Sequence, residues 1–144
     1  MLMLIALLSA LNAPSPGDLK SFGDWTIGCD NGRACRAVSL MEMETSENQL
    51  TLQISRGPLA ADVAQIRIAN VEKRQPGQAV RFVLDGKMTV STVTFPADGD
   101  AIALALDQKL STQFRAGRRL ELRDGDTLLG STSLNGFAEI LAEM

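Results

Sequence analysis

Two cysteines, Cys29 and Cys35, are the only thiols in this chain, and neither histidine nor tyrosine accompanies them. They can close a bridge, stay a reduced pair, or offer two thiolates to a metal. The last makes a poor site, because structural zinc takes four ligands. Without histidine no Ser-His-acid triad, Cys-His pair or His-ligated zinc or haem centre can be assembled. Glu42, Glu44 and Glu47 are the candidates for paired-carboxylate work on glycosides. Glu42 and Glu44 alternate, however, as residues on the solvated face of a strand do, with Met41 and Met43 pointing inward. Asp98-Gly99-Asp100 and Asp124-Gly125-Asp126 offer oxygens to calcium but lack the further carboxylates and closing Glu of a binding loop, so both read as turns. No Ser-x-x-Lys, Gly-x-Ser-x-Gly or phosphate-binding Gly-rich loop occurs. The chain is therefore expected not to be an enzyme, with no catalytic residue, no cofactor and no metal.

The elements that would position such groups are mostly strands. A chain of 144 residues fits one domain, and 45% hydrophobic residues allow a real core. A net charge of -3 and a pI near 4.9 argue against nucleic-acid binding, which needs a basic face. Arg115, Arg118, Arg119 and Arg123 cluster around an alternating strand and read as a solvated face.

Residues 23–38 read as a β-hairpin with the cysteines at its mouth. Pairing Cys29 with Cys35 puts Ile27 opposite Ala37 and Trp25 opposite Ser39. Trp25, Ile27, Cys29, Cys35 and Ala37 then share an apolar face, and Thr26, Gly28 and Arg36 the other. Trp25 and Ile27 are expected in the core. Asn31-Gly32 are the residues expected to take positive φ in the turn. A bridge closing so short a loop stabilises by about 2 kcal/mol on the chain-entropy model. The loop Asp30, Asn31, Gly32, Arg33 is the candidate contact surface, because a rigid exposed loop can carry recognition.

Further strands are expected at Leu50–Ser55, Ala64–Ile68, Ala79–Leu84 and Lys87–Thr94, the last two flanking an Asp85-Gly86 hairpin signal. Ile102, Leu104 and Leu106 alternate, while Ile102, Leu106, Leu110 and Phe114 recur every four residues. Length and the stop at Gly117 favour a helix over at least Asp107–Ala116. Arg119–Arg123 and Thr127–Ser131 pair across a turn. Ser133 is placed to cap a short helix whose Leu134, Phe137, Ile140 and Leu141 line one face. The fold class expected is mainly β, an antiparallel β-sandwich-like single domain with one or two short helices, including a C-terminal one.

Met1 to Leu11 is apolar and uncharged. Its length suits the h-region of a signal peptide and falls short of a membrane span. The expected organisation is a signal peptide over residues 1–13, a flexible lead-in over 14–22, and one β-rich domain over 23–144. Export fits a disulfide, and no stable membrane anchor is expected after cleavage.

At Phe22-Gly23-Asp24-Trp25-Thr26-Ile27-Gly28-Cys29-Asp30-Asn31 through Cys35-Arg36-Ala37 the chain resembles the bacterial secreted domain-of-unknown-function family 1176. The Asp-Trp…Cys…Cys opening is also similar to the invasion-associated locus B family, whose closing segment is matched by Ser133-Leu134-Asn135-Gly136-Phe137. The resemblance implies an exported β-sandwich-like domain of a Gram-negative bacterium, periplasmic or secreted. It supplies no catalytic residues. The function expected is a non-enzymatic module that binds a protein or cell-envelope component. The alternatives are an enzyme inhibitor presenting the Cys29–Cys35 loop and a carboxylate-dependent exported hydrolase.

Overall fold

Among the described residues, alternating apolar and polar residues build ten strands, and two short helices close over them. The computed structural model describes residues 18–40, 49–69, 75–96 and 101–144. The expected signal peptide, the first residues of the lead-in, Met41 to Glu47 and the Asp98-Gly99-Asp100 triplet lie outside the described residues. In chain order the elements are β1 (Lys20–Phe22), β2 (Trp25–Cys29), β3 (Cys35–Ser39), β4 (Thr51–Arg56), β5 (Gln65–Ala69), β6 (Ala79–Leu84), β7 (Met88–Thr94), β8 (Ile102–Ala105), α1 (Gln108–Ala116), β9 (Arg119–Asp124), β10 (Thr127–Ser133) and α2 (Phe137–Glu143).

They form a six-stranded antiparallel sheet A, ordered β1-β2-β3-β4-β5-β8, and a four-stranded antiparallel sheet B, ordered β10-β9-β6-β7. Side chains of period two turn Trp25, Ile27, Ala37, Leu52, Ile54, Ile66 and Ile68 inward from sheet A. Val80, Phe82, Leu84, Leu120 and Leu122 do the same from sheet B, and both sets belong to one buried cluster. The fold is thus a mainly antiparallel β domain, as expected from the sequence.

The β2–β3 register has Trp25 opposite Ser39, Ile27 opposite Ala37 and Cys29 opposite Cys35. Ile102–Ala105 is strand and Gln108–Ala116 helix, so the ambiguous stretch divides at Asp107, whose carboxylate caps α1 by accepting the Leu110 N–H at 2.8 Å. Leu110 and Phe114 are the buried face of α1.

Three local expectations are corrected. The end of the lead-in, Lys20–Phe22, is strand β1: Gly23 at φ 54 makes a two-residue turn that folds these residues back onto β2. Ser133 does not cap α2. Pairing with Arg119 carries β10 through Ser133, and α2 starts after Gly136, which has φ 94 and no side-chain cap. The positive φ in the hairpin belongs to Arg33, at 68, and not to Asn31 or Gly32. A two-residue Asn31-Gly32 turn would set Asp30 opposite Arg33 and hence Cys29 opposite Ala34. The bridge demands the other parity, so Asp30 pairs with Ala34 around a three-residue loop whose third member goes left-handed.

At the far end of sheet B, the Asp85-Gly86 hairpin is tied to β9. The Asp85 carboxylate accepts N–H bonds from Arg118 and Arg119, both 2.9 Å, and the Asp85 N–H donates to the Arg119 carbonyl at 2.9 Å. The Arg118 N–H first, then that of Arg119, hold this carboxyl below the usual carboxylate range.

Candidate functional site

Two regions stand out, a joint that closes the fold and a groove beside the bridge. The joint is made by the two sequence segments that carry the resemblance. Gly23 lies against the carbonyl of Asn135, and Gly136 against the carbonyl of Phe22; a Cβ on either glycine would collide with backbone. The Asp24 N–H donates to the Asn135 carbonyl at 2.9 Å, and the Trp25 indole Nε1–H to the Ser133 carbonyl at 3.1 Å. The Trp25 and Phe137 rings meet edge-to-face at 5.7 Å, and Phe114 and Phe137 at 5.6 Å. Lys20 and Glu143 pair at 2.7 Å on the surface above. All of this is architecture: the opening and closing segments are the two halves of one clasp.

The groove, about 620 Å³, lies at the end of sheet A nearest the bridge. Cys29 and Cys35 are joined, with Cα atoms 4.0 Å apart. The loop between them is fixed by three bonds. The Asp30 N–H donates to the Ala34 carbonyl and the Ala34 N–H to Asp30 Oδ1, both at 2.9 Å, while the Arg33 N–H donates to the Asp30 carbonyl at 3.1 Å. Of the four expected contact residues, only Asp30 lines the groove. Asn31, Gly32 and Arg33 stand exposed at the tip. Trp25 and Ile27 are buried, as core residues.

The floor follows from sheet register. Gly28 pairs with Arg36, Arg36 with Ser55 and Ser55 with Gln65, so these four form one row across the outer face of sheet A. The Arg36 side chain is exposed and makes no hydrogen bond or ion pair among the described residues. Arg56 walls the groove differently, because its guanidinium is consumed by backbone. It donates to the carbonyls of Asp62 at 3.2 Å and Ala60 at 3.1 Å and to a main-chain oxygen of Met144 at 3.1 Å. Those bonds shape the 57–64 loop, where Gly57 leaves room for the Asp62 carboxylate that accepts the Leu59 N–H at 2.8 Å. The loop presents Leu59 and Val63 to solvent at 66% and 54% exposure.

A second depression of about 630 Å³ shares Arg56 and Val63 and continues toward α1. The acids along both are already engaged: Asp30 by Ala34, Asp62 by Leu59 and Asp107 by Leu110. The four clustered arginines separate. Arg115 and Arg118 are exposed, Arg119 donates to Ser131 Oγ at 2.7 Å, and Arg123 meets Glu121 at 2.8 Å, a contact that raises the Arg123 pKa. Asp124-Gly125-Asp126 is the β9–β10 turn, in which Gln78 Nε2–H donates to Asp124 Oδ2 at 2.6 Å. Sequence reasoning placed Arg36 on the outward face, but Ser55, Arg56 and Gln65 join it only through cross-strand pairing that local sequence does not specify.

The structure defines a class: a two-sheet antiparallel β domain with a bridged amino-terminal hairpin clasped to a carboxyl-terminal helix. The family model described as protein of unknown function (DUF1176) matches residues 19–144, and the chain belongs to that family. Its fold is similar to that of invasion associated protein B from Bartonella henselae, with a TM-score of 0.65 and 18% identity over 86% of this chain and 93% of that one. No curated protein matches the chain.

Proposed function

We propose that this protein is an exported, non-enzymatic module that binds a protein or cell-envelope component along the outer face of sheet A beside the Cys29–Cys35 bridge. The observation that carries this reading is the groove floor. An unpaired Arg36 guanidinium stands there between Gly28 and Ser55, while every acid lining the groove and its continuation toward α1 is engaged by backbone N–H groups. A free cation on a floor shared with Ser55 and Gln65 suits an anionic or carbonyl-rich ligand. Nothing in that arrangement supplies a nucleophile with a base. The exported location rests on the apolar residues 1–11 and on a bridge that oxidising compartments favour. The neighbour's name, invasion associated, is in keeping with a role in contact at the envelope or beyond it.

The test is a pull-down from periplasmic extract with wild type and Arg36→Glu in parallel. A partner recovered by wild type and lost from the variant is expected. No partner above background, or equal recovery by both, overturns the reading. Cell fractionation with the mass of the mature amino terminus tests export, and a retained Met1 in the cytosol overturns that part.

One observation favours a second reading. Arg33 is exposed at the tip of a bridged loop whose backbone is fixed by three hydrogen bonds, as a plug for another enzyme's cleft would require. Micromolar inhibition of a lysozyme or serine protease that disappears in Arg33→Ala is its signature.

A further inference from the structure

Four strands end the two sheets, and they are not equally protected. β1 has three residues, carries Lys20 tied to Glu143, and continues into the clasp. β8 has four residues and runs directly into the Asp107 cap of α1. β10 is joined along its free side by Gln49, which bridges to Ser131, and by the Leu50 N–H donating to the Ser131 carbonyl at 3.0 Å. β7 has seven residues, Met-Thr-Val-Ser-Thr-Val-Thr, without a charge or a proline. Among the described residues nothing pairs with its outer side. Natural proteins rarely leave such an edge open, because its unpaired N–H and C=O groups are a template for another strand.

We propose that β7 is where two copies of this chain join, edge to edge and antiparallel, about a two-fold axis at Val93. The geometry selects that register. Beyond β7 the Phe95 N–H donates to the Gln78 carbonyl at 2.9 Å, and the Phe95 carbonyl accepts from the Gly77 N–H at 3.0 Å, so Phe95 faces β6. Alternation turns the main-chain groups of Val93 the same way and those of Thr92 and Thr94 outward. β7 carries its own bulge at Val90, the extra residue between Ser91, which faces Phe82, and Thr89, which faces Val83; the bulge confines regular pairing to Ser91–Thr94. An axis at Val93 sets Thr92 against the partner's Thr94, and Thr94 against the partner's Thr92. These are two hydrogen-bonded pairs and four N–H···O=C bonds. Side-chain direction agrees: Thr92 and Thr94 lie on the exposed outer face of sheet B, while Val93 meets the partner's Val93 on the inner face.

The charge pattern commits the occupant. A two-fold axis sets each residue near its own copy, so a charged edge repels itself and a neutral edge does not. Arg81, beside Thr92 on β6, is held by the Gly125 carbonyl at 2.8 Å and Thr89 Oγ1 at 3.3 Å. Each copy spends in the contact the one long edge that nothing pairs with among the described residues, so the assembly closes at two.

Sedimentation velocity and amide exchange over a micromolar-to-millimolar series of the purified protein test this. Expected are a species of twice the monomer mass that grows with concentration and Thr92 and Thr94 amides whose protection grows with it, while Val93 is protected throughout. The double substitution Thr92→Glu with Thr94→Glu, which puts a carboxylate beside Arg81 on β6 and sets like charges against each other across the axis, stays folded and monomeric. A monomer at every concentration overturns the proposal. So does a dimer indifferent to the double substitution, protection arising elsewhere, or an open-ended series of larger species.

Discussion

Gly136 lies so close to Phe22 that the carbonyl oxygen of Phe22 fills the space a Cβ would need. Gly136 also holds φ 94, a conformation that side chains other than hydrogen resist. Gly23 makes the reciprocal approach to Asn135, so the clasp depends on two absent side chains as much as on its hydrogen bonds.

Gly136→Ala is therefore expected to destabilise by about 2 kcal/mol or more, since the backbone strain alone is worth about 1–3 kcal/mol and the clash adds to it. Chemical denaturation of wild type and variant measures this. An unchanged midpoint would mean that α2 docks without the close approach.

Removing the bridge is expected to cost about 2 kcal/mol, because the loop it closes is short. Cys29→Ser with Cys35→Ser should melt lower than wild type in oxidising buffer, and reductant should bring wild type down to meet it. Identical melting curves with and without reductant contradict this.

Arg33→Gly should stabilise by up to about 1 kcal/mol, because glycine adopts the left-handed backbone at that position without the penalty arginine carries. The Arg33 side chain is exposed and gives up no hydrogen bond shown by the structure. A drop in melting temperature would show that the side chain matters to the loop.

Asp85 gives a pH dependence with a definite sign. The Arg118 and Arg119 N–H groups hold its folded-state pKa below the ordinary carboxylate value, so its contribution is fully present above the unfolded value and fades as pH falls through the folded one. Asp85→Asn should be less stable than wild type at neutral pH, by about 1 kcal/mol or less at so exposed a site. The gap should narrow as pH falls through and below the usual carboxylate range. Paired urea titrations at neutral and acid pH check it, and a gap that stays constant into acid would contradict it.

Much of this architecture is readable from sequence wherever one constraint fixes parity. Joining Cys29 to Cys35 sets every pair of the β2–β3 hairpin, so Trp25, Ile27 and the outward Arg36 follow from alternation alone. The same constraint defeats the turn preference of Asn31-Gly32, and local propensity therefore names the wrong residue for the left-handed position. β1 is not readable because Lys20–Phe22 is too short to show a period and is held by distant partners. Ser133 has the side chain of a helix cap, yet pairing with Arg119 keeps it in a strand. Gly23 and Gly136 each read locally as turn residues. Only the three-dimensional approach of segments more than a hundred residues apart shows why neither position tolerates a side chain.

The 108-residue separation between the Trp25 indole and the Ser133 carbonyl it binds bears on how the molecule comes into being. Synthesis delivers the amino end first, so the tryptophan waits, uncovered, until residues more than a hundred positions later have emerged. Contacts this remote in sequence close slowly, and the interval before closure is when such a chain is most open to capture by chaperones or attack by proteases.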